Sequence, residues 1–133
     1  MMLDDARRQV AHAGFKKAEG DLIAARRCAE APDVPGRVIG FHCQQAVEKA
    51  MKGMLVVLGR EPPRTHDVTR LSELIEDEKG LCPISAEELD ALSSFAVDDR
   101  YPMMSAPEVT RSDAIALIVP AEVAVGRLEQ IVS

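Results

Sequence analysis

Tryptophan is absent from the chain, Tyr101 is the only tyrosine, and aromatic residues make up 3% of the sequence. A β-sandwich or a base-stacking RNA-binding sheet draws on more aromatic side chains than this. No stretch alternates apolar and polar residues with period two for long enough to make a convincing strand. Cysteine is scarce and odd in number: Cys28, Cys43 and Cys82 share no C-x-x-C spacing. They read as buried thiols of a reducing compartment, not as a disulfide framework or a zinc site. No apolar run approaches the length of a membrane span, and the acidic start Met1–Asp5 has no apolar signal segment. The expectation is a soluble, cytoplasmic protein with no membrane partner. An excess of positive charge is also missing. Lys and Arg total 16 against 22 Asp and Glu, a net charge of −6. The global basic field of a nonspecific nucleic-acid binder is therefore lacking, although a local basic patch stays open.

What is present favours helices. Of 133 residues, 47% are apolar and 29% charged, a balance suited to one globular domain spanning 1–133. Ala, Leu, Glu and Arg are abundant, and all are good helix formers. The first predicted helix runs from Leu3 to about Ala31, with an apolar set at Val10, Ala13, Ala18, Leu22 and Ala25, and breaks at Pro32–Gly36. The second runs from about Pro35 to Leu58. Ile39, Cys43, Ala46, Ala50, Met54 and Val57 form one apolar stripe; Val47, Met51, Leu55 and Leu58 form its neighbour. So wide an arc fits a helix with several neighbours. Gly59 suits its C-terminal cap, and Pro62–Pro63 forbids continuation. A third helix starts at the cap residue Asp67, buries Val68, Leu71, Leu74 and Ile75, and ends at Lys79–Gly80. A fourth starts at Ser85, with Glu88 completing a capping box, and carries Leu89, Leu92 and Phe95. The last runs from Pro107 or Thr110 to Ile131, because Ser105/Glu108 and Thr110/Asp113 both fit a cap. Pro120 lies inside it and predicts a kink. The fold class is all-α: an up-and-down four-helix bundle with an additional short helix.

Three polar groupings are candidates for chemistry. On the second helix, His42, Gln45, Lys49 and Lys52 recur at i, i+3 and i+4 and share one face, on which His42, Lys49 and Lys52 can hold a phosphate or nucleotide. Gln44, Glu48 and Lys52 form a second line beside it, and the plainer reading of the whole cluster is a solvated helix face with Glu48 and Lys52 as an ordinary i, i+4 pair. The stiff loop Arg60–Asp67 presents Arg64 and His66 just before a helix start, where anions are favoured. The plainer reading is that Thr65 and Asp67 cap while His66 bonds across the end of the bundle. The third grouping is Asp98–Asp99–Arg100–Tyr101–Pro102, read first as a structural joint. No metal site is expected, because His12, His42 and His66 fall on different elements without ligand spacing. G-x-S-x-G and glycine-rich phosphate loops are absent, and no cofactor is expected. Cys43 follows His42, but adjacent helical positions diverge by about 100°, which sets a Cys–His pair at a disadvantage.

Taken together, Phe41–Lys52 (FHCQQAVEKAMK), Pro63–Asp67 with Leu71, and Arg100–Tyr101–Pro102 resemble a HEPN domain (higher eukaryotes and prokaryotes nucleotide-binding). The resemblance covers nearly the whole chain. It implies an all-α bundle, a homodimer, and partnership with a minimal nucleotidyltransferase in a toxin–antitoxin-like pair. It also implies nucleotide or partner binding through His42, Gln45, Lys49, Lys52, Arg64, His66, Arg100 and Tyr101. Many members of that family are metal-independent ribonucleases whose mark is Arg, four to six residues, then His, near the start of the last long helix. This chain has no His after His66, so Arg100 and Arg111 lack that partner and the reading leans away from catalysis. Arg37/His42 and Arg64/His66 are the pairs left to a ribonuclease with a relocated site. A third reading is a purely structural dimerisation bundle.

Overall fold

The computed structural model describes residues 2–80, 82–93 and 110–132. Within them the chain is helical and has no strand. The elements are α1 (Met2–Glu30), α2 (Gly36–Val57), α3 (Val68–Lys79), α4 (Ala86–Ser93), α5 (Arg111–Ile115) and α6 (Ile118–Val132). The all-α bundle expected from the sequence is what forms. Helix α2 is its axis: each of the other five packs against it. That explains the breadth of its apolar arc, since Ile39, Cys43, Ala46, Val47, Ala50, Met51 and Leu55 are all fully buried.

The first helix differs from expectation in its apolar face. Ala11, Phe15, Ala18, Leu22 and Ala25 are buried, whereas Val10 is 57% exposed and Ala13 lies on the outside. The alternating spacing of four and three places Phe15, the largest apolar group available, against α2. The two helices meet where Gly53 faces Ala11: a Cβ added at Gly53 would stand 3.4 Å from Ala11 O, in ordinary van der Waals contact.

The ends of the helices follow local chemistry. Helix α2 closes in a Schellman motif: Gly59 has φ +82°, its N–H donates to Val56 O, and Arg60 N–H donates to Leu55 O. Asp67 caps α3 by accepting from the N–H groups of Thr69 and Arg70. Ser85 Oγ accepts from Glu88 N–H at the start of α4. Thr110 caps α5 through Asp113 N–H, which places that boundary at the later of the two expected starts. Ser105, Glu108 and Phe95 lie outside the described residues.

The last helix is not one kinked rod. It breaks at Ala116–Leu117, and α6 begins afresh at Ile118. Pro120 is the cause: it has no N–H to give to Ala116 O, four residues earlier, and its ring crowds that carbonyl. The break therefore lies one turn before the proline.

Candidate functional site

The polar face of α2 is built around two carboxylates. Asp21, on α1, is 12% exposed. It accepts from Lys49 Nζ at 2.5 Å and lies 3.0 Å from His42 Nδ1. Glu48, on α2 itself, is 5% exposed and is the hub of four contacts. Gln44 Nε2 donates to it at 3.2 Å, Gln45 Nε2 at 3.5 Å and Lys52 Nζ at 3.2 Å, and His66 Nδ1 lies 2.9 Å away. Gln44 also donates to His66 O at 2.8 Å and accepts from Gln45 at 2.9 Å. These bonds join the loop before α3 to the middle of α2.

The burial of this network overturns the reading of Gln44 and Glu48 as a solvated line. Gln44 is fully buried and Glu48 nearly so. A buried carboxylate is costly unless hydrogen-bonded and paired, and here four donors supply both. The partners grow more exposed outward: Lys52 is 26% exposed and His66 67%. Both histidines turn Nδ1 to a carboxylate, which leaves each Nε2 without a partner among the described residues. The network thus holds Gln45, Lys49, Lys52 and the two imidazoles in fixed poses whose outer edges face solvent.

The other features divide cleanly. Asp67 and Thr65 cap and turn the loop as the plainer reading had it: Asp67 N–H donates to Thr65 Oγ1. Arg64 is exposed and makes no ion pair among the described residues. Arg100 and Tyr101 lie outside them. Cys43 is fully buried, and burial pushes its thiol up to about 12, with the Glu122 carboxylate adding to the shift. The fully buried thiol is withdrawn from solvent and His42 turns Nδ1 to Asp21, an arrangement that does not favour a Cys43–His42 nucleophile. No group of three metal-ligating side chains comes together among the described residues. No described helix is long and apolar enough to cross a membrane.

A model of the HEPN domain matches residues 11–131. The chain belongs to the HEPN domain family. A crystal structure of an archaeal HEPN homologue is similar to it, with a TM-score of 0.67 and 27% identity over 92% of this chain and 98% of that one. No curated protein matches the chain. Within this HEPN bundle, Arg37 and His42 do not converge, since five helical steps turn through about 140° beyond a full circle. Arg37 is exposed, while His42 turns to Asp21.

Two residues central to the structure escaped the sequence. Asp21 flanks the buried Ala18/Leu22/Ala25 stripe, and an acid at such a flank was a signal for a cross-helix partner. Arg111 gave no signal. Its guanidinium spans the α1–α2 turn, donating to Cys28 O, Ala29 O, Ala31 O and Val34 O at 2.8–3.1 Å. Those carbonyls belong to the end of α1 and the turn after it, where helical partners run out.

Proposed function

We propose that this HEPN protein is an accessory binding protein that recognises a nucleotide, or a minimal nucleotidyltransferase partner of a toxin–antitoxin-like pair, through the α2 polar face and the Arg64/His66 loop. The observation that carries the reading is the Glu48 hub. It fixes Gln45, Lys52 and His66 in place, so little side-chain entropy remains to be lost when an acceptor-rich ligand docks. Lys49 and His42, held by Asp21, extend the same donor row. Arg64 stands beside it as a cation without an ion pair among the described residues, and a phosphate is its natural complement.

Calorimetry with ATP, GTP and a short RNA tests this, together with co-purification of a neighbouring nucleotidyltransferase. Lys52→Ala combined with His66→Ala is expected to weaken whichever interaction is found by at least tenfold. Unchanged binding by the double variant would remove the site from consideration.

A second reading, a metal-independent ribonuclease, draws on the two imidazoles. Each is oriented at Nδ1 by a carboxylate, with Nε2 left for acid–base chemistry. RNA cleavage in the presence of EDTA, lost in His42→Ala or His66→Ala, would support it. Intact RNA after incubation with pure protein would not.

A further inference from the structure

A second surface lies away from the α2 face, between α3 and α4. Residues 68–93 hold seven carboxylates against two cations and so carry five of the chain's net −6. Between these helices runs an open groove of about 190 Å³. Its floor is apolar, from Ile84 and Leu89, which are buried apart from the face they give to the groove. Its rim carries Glu73, Glu76 and Asp90. Glu73 is paired with Arg70 at 3.1 Å, whereas Glu76 has no ion pair among the described residues.

Ser72 marks the groove as more than an acidic patch. It is 95% buried and lines the groove, yet its hydroxyl makes no hydrogen bond among the described residues. No buried side-chain oxygen or nitrogen there is both sealed and unpartnered. The Ser72 hydroxyl therefore keeps its opening to the groove, where a polar group from outside can meet it.

We propose that this groove docks a lysine or arginine side chain from a basic segment of a partner protein. The aliphatic stem lies along Ile84 and Leu89, and the cationic head reaches the Glu76 carboxylate and the Ser72 oxygen. Amphipathic side chains bury their stems and keep the charge at a polar rim in this way. A neutral apolar side chain would leave Ser72 and Glu76 unserved, and an anion would be repelled by the rim.

The test uses the full chain and two short peptides, acetyl-Gly-Leu-Lys-Leu-Gly-amide and its norleucine counterpart, titrated while backbone amide shifts are followed by NMR. The lysine peptide is expected to move amides of Thr69–Glu76 and Ile84–Asp90 saturably. The norleucine peptide is expected to bind at least tenfold more weakly. Glu76→Gln and Ser72→Ala should each weaken the lysine peptide by about three- to tenfold. Glu87→Gln removes an exposed carboxylate of α4 outside the groove and should change binding less than twofold. Equal losses from Glu87→Gln and Glu76→Gln would overturn the site in favour of a diffuse field. Absence of shifts with either peptide would overturn it outright. So would n-butylammonium binding as tightly as the lysine peptide, since the groove would then take a small amine instead of a protein side chain.

Discussion

Arg111 and Glu48 are each the centre of four hydrogen bonds, but the two hubs differ in what they hold. Among the described residues Arg111 donates to backbone carbonyls alone, at the end of α1 and in the turn that follows. Among the same residues Glu48 gathers side chains alone: Gln44, Gln45, Lys52 and His66. The first hub turns its Nε and Nη2 donors to the path of the chain. The second leaves the outer edges of Lys52 and His66 facing solvent, where a ligand can meet them. A polar centre that binds backbone thus builds the fold, and one that binds side chains can present a surface.

The contrast is broken most severely at the Arg111 joint. A Cβ added at Gly36 would stand 2.9 Å from Arg111 Cα, a backbone atom that cannot swing aside. Gly36→Ala is therefore expected to destabilise by about 2–3 kcal/mol, in the range of overpacking. Arg111→Ala should cost a similar amount, about 2–3 kcal/mol, by leaving helix-end carbonyls with one charged donor fewer. Arg111→Lys should recover less than half of that loss, because one ammonium cannot replace a forked guanidinium. Urea unfolding followed by circular dichroism reads all three, with nucleotide or partner binding at saturating folded fraction unchanged. Next in size is Glu48→Ala, expected to cost about 1–2 kcal/mol and also to loosen Lys52 and His66, so that it moves both stability and binding. An effect on stability alone would mean that the second hub is as purely architectural as the first.

The sequence told more about the fold than about these hubs. The apolar arc of α2 and the caps at Asp67, Ser85 and Thr110 were legible because they are local: a side chain and an N–H two or three residues away. Pro120 was legible as a disturbance, and its displacement to Ala116–Leu117 follows from the lost bond four residues back. The α1 face was misjudged because small alanines leave its periodicity weak, and only packing shows that Phe15 turns inward. Glu48 meets Gln44, Gln45 and Lys52 at spacings of three and four within α2, but its reach to His66, the Asp21 pairs and the Arg111 hub depend on contacts far apart in the chain. Asp21 meets residues 21 and 28 positions later, and Arg111 meets carbonyls about 80 positions earlier. No spacing rule within one helix contains that information. The resemblance gave His42, Lys49, Lys52 and His66 as site residues; Glu48 stands in the same motif without that role, and Asp21 lies outside it.

Cys43 offers a gentler probe of the core between the hubs. Its thiol rises from about 9 to about 12 on burial. Below pH 9 both folded and unfolded chains keep the proton, and the thiol's contribution to stability is fully present. Above it the unfolded chain loses the proton first, so stability falls by about 1.4 kcal/mol per pH unit until the folded thiol also ionises near 12. Subtracting the profile of Cys43→Ala from that of the parent isolates this slope from the other alkaline groups. A difference that stays flat between pH 9 and 11 would show that solvent reaches the thiol.

The smallest stability change is expected at His66, and it is the sharpest test of the distinction between the two centres. The ring is mostly exposed, and an exposed ion pair contributes little, so His66→Ala should alter unfolding by less than about 0.5 kcal/mol. Its main-chain carbonyl, which accepts from Gln44, is kept in the variant. Yet the imidazole edge is among the groups that Glu48 holds toward solvent. If that edge meets a ligand, the same substitution should weaken binding about tenfold while the melting profile stays in place. A loss of stability matching the loss of binding would instead place His66 with Arg111, as a strut of the loop before α3.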